Sequence, residues 1–170
     1  MSIQPKIINY GPVNVAGYLH KTSMSNNTIP AFWGEISADG RHKKLHSGEW
    51  VAHHADYGIC FMVDDDNMDY VIGLEVKAGA EVSPEFHKAV IPQCDYAVFS
   101  AGNTHDADFS QNIQKTWGEA FAWLETSEYK MCHCGVSFEL YVCECTDDAE
   151  CDNCKEGKLP CDIYIAIEKK

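Results

Sequence analysis

Residues 136–142 read Val-Ser-Phe-Glu-Leu-Tyr-Val. Val136, Phe138, Leu140 and Val142 alternate with Ser137, Glu139 and Tyr141, the period of two that a pleated strand imposes on its faces. One face is apolar and belongs in a core. The other sets a carboxylate beside an aromatic ring. Such a carboxylate is either solvated on an open sheet face, as antiparallel sheets allow, or set in the floor of a pocket. The strand alone leaves both open.

The same periods extend outward along the chain. Residues 13–20 form a strand pattern and 21–28 a polar loop. Residues 29–36 (IPAFWGEI) open a helix, with Thr28 placed to cap it and Pro30 in the first turn, where a missing N–H costs little. Ile29, Phe32, Trp33 and Ile36 make its apolar stripe, and Asp39-Gly40 is a stop signal. Residues 57–63 and 70–76 are strands joined by the polar turn Asp64-Asp65-Asp66-Asn67.

The second half repeats this order. Residues 86–100 are extended, with a break near Pro92. A polar loop at 102–106 leads to a helix at 109–124, with Phe109, Ile113, Trp117, Phe121 and Leu124 on one stripe. Then come 136–142 and a last strand at 162–167. A strand-helix-strand-strand unit recurring after about 85 residues implies duplication, not a solenoid array. The expected fold is α+β: one antiparallel sheet from two such units (1–80 and 81–170), two main helices on it, and a groove at the seam, all in a single domain. In the first half the last two strands are joined by a short acidic turn. In the second, the same connection is the Cys-rich stretch 143–161, expected to be an insertion in a hairpin.

Composition narrows the function classes. Lys and Arg number 13 against 26 Asp and Glu, a net charge of −13. That surface repels phosphate backbones, so direct nucleic-acid binding is not expected, and cationic ligands or basic partners are favoured. No run of eighteen apolar residues and no signal-peptide pattern occur, so a cytoplasmic protein without a membrane span is expected.

Nine cysteines, an odd number, then suggest reduced thiols or a metal site, not a disulfide framework. Free thiols in an acidic loop, with no cofactor, are the expectation; the alternative is a tetrahedral zinc ion held by the thiolates of Cys143, Cys145, Cys151 and Cys154. His53-His54 lie in an apparent loop and receive no role. No phosphate-binding or nucleophile-elbow motif is present.

Five segments in order, IPAFWGEI (29–36), YGICF (57–61), IPQCDYAVFSAG (91–102), TWGEAFAWLETSEYKM (116–131) and FELY (138–141), carry a resemblance. The chain resembles the GyrI-like small-molecule-binding domain, which is also the effector-binding domain of many AraC-type and MerR-type multidrug regulators. The resemblance implies a groove between the halves that takes lipophilic, planar or cationic compounds, with the glutamate of FELY, here Glu139, ringed by aromatic side chains.

The regulators carry a helix-turn-helix domain beside this one. No residues here build it, so a stand-alone drug- or effector-binding protein is expected, with a regulator or DNA gyrase as a possible protein partner. The alternatives that the resemblance leaves are a gyrase inhibitor and a hydrolase of cyclopropane-bearing compounds that uses Glu139. Around Glu139 and Tyr141 the expected lining comes from Trp33, Tyr57, Tyr96, Phe99 and Trp117, with Phe61 and Trp123 as further candidates. Against each stands the simpler role of an aromatic core residue.

Overall fold

The computed structural model describes residues 3–133, 135–142 and 160–170. Its elements are β1 (Lys6–Tyr10), β2 (Val13–Ser23), α1 (Ile29–Ala38), α2 (Arg41–His46), β3 (Asp56–Met62), β4 (Asn67–Glu75), β5 (His87–Ile91), β6 (Cys94–Asn103), α3 (Phe109–Thr126), β7 (Tyr129–Met131), β8 (Ser137–Tyr141) and β9 (Pro160–Lys169). Among the described residues, nine strands form one antiparallel sheet ordered β1-β6-β9-β8-β3-β4-β2-β5, with β7 added on β9. The expected α+β architecture is therefore present. The cysteines at 143–154 and most of the 143–161 connection lie outside the described residues.

The strand pairing is symmetric about its centre. β3 and β8 meet at the centre; outward from them, β4 answers β9 and β2 answers β6. The leading strand of each half is exchanged: β1 pairs with β6 of the second half, and β5 with β2 of the first. Register runs in step from Lys6↔Val98 to Gly17↔His87, so β1–β2 and β5–β6 act as two long bent strands side by side. They bend at Gly11-Pro12 and Pro92-Gln93. Gly11 has a φ of +92°, and a Cβ there would lie 2.9 Å from the Pro92 carbonyl oxygen, so this corner needs glycine. Because this ribbon supplies both ends of the sheet, the sheet curls over its own inner face.

That inner face buries Val13, Val15, Ile59, Val71 and Phe138 together with Tyr57, Tyr96 and Tyr164. The outer face carries the helices. α1 and α2 bury Phe32, Ile36 and Leu45 on Ala16, Tyr70, Ile72 and Leu74. α3 buries Ala120 and Leu124 on Ala97, Phe99, Ile163 and Ile165. No helix among the described residues is long and apolar enough to cross a membrane.

Several local expectations need correction. Thr28 holds the N-cap position of α1 but makes no side-chain cap. Its Oγ1 instead meets His20 Nε2 at 2.7 Å and Thr22 Oγ1 at 2.9 Å, so tertiary partners outcompete the local one. Phe121 is 41% exposed, not buried with its stripe; it stacks on Trp117. β1, β7 and α2 were not foreseen. Cys132 is disulfide-bonded, contrary to the expectation of reduced thiols, whereas Cys60, Cys94 and Cys161 are free.

Candidate ligand-binding site

β8 lies beside β3 at the seam, and its alternation divides its side chains as residues 136–142 imply. Phe138 and Leu140 enter the inner core. Ser137, Glu139 and Tyr141 point to the helix side. Glu139 sits directly opposite Gly58 of β3. A Cβ at Gly58 would fall 2.1 Å from Tyr70 Oη and 3.5 Å from Trp33 Cζ2, so the missing side chain is what lets the Tyr70 hydroxyl and the Trp33 ring edge reach the seam.

Both carboxylate oxygens of Glu139 are engaged. Trp117 Nε1 of α3 donates to Oε1 at 3.0 Å, and Tyr141 Oη donates to Oε2 at 2.8 Å. On the first-half side, Trp33 Nε1 of α1 donates to Tyr70 Oη at 2.9 Å, and the Trp33 ring meets Tyr141 edge-on at 5.2 Å. Phe109 adds a further ring 6.3 Å from Tyr141. The two tryptophans come from the same triplet, Trp-Gly-Glu, at 33–35 and 117–119, one in each half.

No described lysine, arginine or histidine forms an ion pair with Glu139. The residue keeps some solvent access, yet its carboxylate lies deep in protein. Burial pushes the carboxyl above the usual range, partly offset by the hydrogen bonds from Trp117 and Tyr141. Burial, with the Glu139 charge added, also pushes the Tyr141 hydroxyl up, so Tyr141 remains a neutral donor.

A raised carboxyl has a signed consequence. The folded chain holds this proton more tightly than the unfolded chain, so ionising Glu139 costs stability. The cost is absent below the ordinary glutamate value, grows as pH rises through the folded value, and is constant above it, at about 1.4 kcal/mol per unit of elevation. Chemical denaturation across that window should show Glu139→Gln gaining on the wild type as pH rises and then levelling off. Parallel curves would mean that the carboxylate is not desolvated.

Of the residues expected from sequence, Glu139, Tyr141, Trp33 and Trp117 are brought together. Tyr57 and Tyr96 are on the opposite face, in the inner core, where Tyr10 and Tyr57 share a hydrogen bond at 2.6 Å. Phe61 packs against that same cluster. Phe99 is buried under α3 against Trp123, away from the carboxylate. Strand parity separates Tyr57, Tyr96 and Phe61 from Glu139, since Tyr57 neighbours Gly58 along β3 and so faces the other way, whereas Phe99 shares the helix side and is set apart by its place under α3. Tyr70, Gly58 and Phe109 were missed. A shallow depression of about 630 Å³ lined by Tyr18, Arg41, Glu85 and Phe86 lies by β2 and β5, away from Glu139. It is open and lacks an enclosed polar group, so the seam is the better candidate.

Beside the seam, Asp56 of β3 faces Tyr141 across the strands. Its Oδ1 is 3.0 Å from His42 Nε2 and 2.9 Å from His46 Nε2, both on α2. Burial pushes the Asp56 carboxyl up, but the two histidine contacts outweigh it and hold the group below the usual range. The contact with Asp56 raises His42. His54, given no role from sequence, places Nδ1 3.0 Å from His46 Nδ1.

A family model for the GyrI-like small molecule binding domain matches residues 3–168. Among solved structures, SAV2435 bound to tetraphenylphosphonium superposes with a TM-score of 0.69 at 15% identity, over 98% of this chain and 94% of that one. A putative bacterial transcription regulation protein from Staphylococcus aureus MU50 gives 0.68 at 15%, over 98% and 99%. The C-terminal domain of EcmrR gives 0.63 at 13%, over the whole of both chains. At such identities the likeness is one of fold. The chloroplastic geranylgeranyl diphosphate reductase of Nicotiana tabacum is 34% identical over 86 residues, 45% of this chain. The match spans only 18% of the reductase's own length.

Proposed function

The chain belongs to the family of GyrI-like small-molecule binding domains, and from that premise we propose that it binds lipophilic, planar organic cations at the β3–β8 seam. The observation that carries this reading is Glu139: a deeply set carboxylate with no cationic partner among the described residues, held by two aromatic donors. A lone desolvated charge is costly, and a bound cation would relieve that cost. Trp33, Trp117 and Tyr141 offer ring faces and edges for cation–π contact, about 0.5–2 kcal/mol each. Because a cation that sheds little water on entry gains most here, lipophilic onium ions fit better than ammonium groups.

The relative whose structure holds tetraphenylphosphonium supplies a probe. Titration of this chain with tetraphenylphosphonium, followed by tryptophan fluorescence, is expected to saturate, with weaker binding of neutral triphenylphosphine oxide. Absence of a saturable change across a panel of lipophilic cations at high micromolar concentration would refute the reading.

A further inference from the structure

His42 and His46 are four residues apart on α2, so both rings leave the same side of the helix. With Asp56 Oδ1 their Nε2 atoms form a triangle with edges of 2.9, 3.0 and 3.2 Å. Zinc holds nitrogen and oxygen ligands at about 2.0–2.1 Å, which places adjacent ligand atoms roughly 2.9–3.4 Å apart between octahedral and tetrahedral angles. The triangle already has that size. We infer that His42, His46 and Asp56 form a mononuclear site for a divalent transition metal ion of the zinc class.

Three further observations support the site. Asp56 is a buried charged residue, and buried carboxylates are paired or ligate metals. The far nitrogen of His46 meets His54, the kind of outer contact that selects which ring nitrogen is free to ligate. Side-chain exposures of 32% for His42, 21% for His46 and 12% for Asp56 leave an approach from the histidine side. Two imidazoles and one carboxylate suit zinc, cobalt, nickel or copper better than calcium or magnesium. Three protein ligands leave room for water or for a donor atom of a bound compound. His42 also lies 6.4 Å from the Trp33 ring, so the ion borders the aromatic seam. The site does not depend on the small-molecule reading and is tested without an organic ligand.

The full chain, stripped with a chelator, is titrated with Co2+ and Zn2+. The Cys-rich stretch could take the same ions through sulfur, so the cobalt spectrum is the readout. Thiolate ligands give strong near-ultraviolet charge-transfer absorption, and nitrogen and oxygen ligands give only weak visible bands. The expected result is one equivalent with the nitrogen–oxygen spectrum. It should weaken roughly 100-fold or more in the His42→Ala/His46→Ala double variant and roughly tenfold in His54→Ala. It should persist when Cys143, Cys145, Cys151 and Cys154 are changed to Ser.

His42→Gln, at a partly exposed position, replaces the double variant if that fails to fold. The imidazole nitrogen shifts of His42 and His46 in the wild type need no variant. A purely sulfur-type spectrum, a nitrogen–oxygen-type equivalent that survives loss of both histidines, or unmoved ring signals at saturating Zn2+ would overturn the site. The histidines would then only neutralise Asp56.

Discussion

Glu139→Gln should weaken tetraphenylphosphonium binding about tenfold to a hundredfold, roughly 1.4–2.8 kcal/mol, while neutral triphenylphosphine oxide loses little. Gln keeps the shape, and its carbonyl still accepts from Trp117 Nε1. What disappears is the charge. Two unit charges about 5 Å apart interact by roughly 3 kcal/mol at an effective dielectric of 20, before the cation's own desolvation is subtracted. Titration of both ligands against both proteins separates the possible causes. Parallel losses would mean that the site had collapsed. Unchanged cation affinity would mean that the carboxylate takes no part in binding.

The second large effect concerns the scaffold. Gly17 of β2 faces Gly73 of β4, and a Cβ on Gly17 would sit 1.9 Å from the Ile72 carbonyl oxygen and 2.5 Å from the Gly73 Cα. Both obstacles are backbone, so no rotamer change relieves them. Gly17 also pairs with His87, so moving β2 disturbs ladders on both sides. Gly17→Ala should cost about 3 kcal/mol or more, a fall in Tm of roughly 6–12 °C for a chain of this length. Gly34 lies within α1 with nothing within 4 Å of its virtual Cβ, so Gly34→Ala should stabilise by about 0.5–1 kcal/mol. Thermal melts of both variants check the pair; equal shifts would contradict the close approach of β2 and β4.

The order of elements was legible because the apolar periods are strong. The stripes of α1 and α3 and the alternation of β8 are local signals. β1, Lys6–Tyr10, was missed because it is a mostly exposed edge strand, and its pairing with β6 joins residues far apart in sequence. α2 is six residues of largely basic side chains with one buried leucine, too short for a stripe.

At the site, strand parity correctly put Glu139 and Tyr141 on one face. The same parity, applied to β3, would have set Tyr57 on the face away from Glu139. Gly58 and Tyr70 could not be found this way, because their role rests on which strand lies beside which. The pairing of Asp56 with His42 and His46 is likewise tertiary, although the four-residue spacing of the histidines on a helix was a signal that could have been used.

The exchanged leading strands make neither half complete without the other, the arrangement of an intertwined pair of identical subunits joined into one chain. The sequence offset that carries Lys6 to His87 and Tyr18 to Phe99 at equivalent places in the ladder also carries Gly58 to Glu139. In a pair of identical subunits, that central position would hold two facing glutamates or two glycines. Two such carboxylates would repel and share a proton; two glycines would leave the floor neutral. Two halves of unequal sequence permit one of each. The seam is then polar in one direction and, on the proposed reading, would take a single positive charge per chain in one orientation, where two identical subunits would offer only two equivalent half-sites.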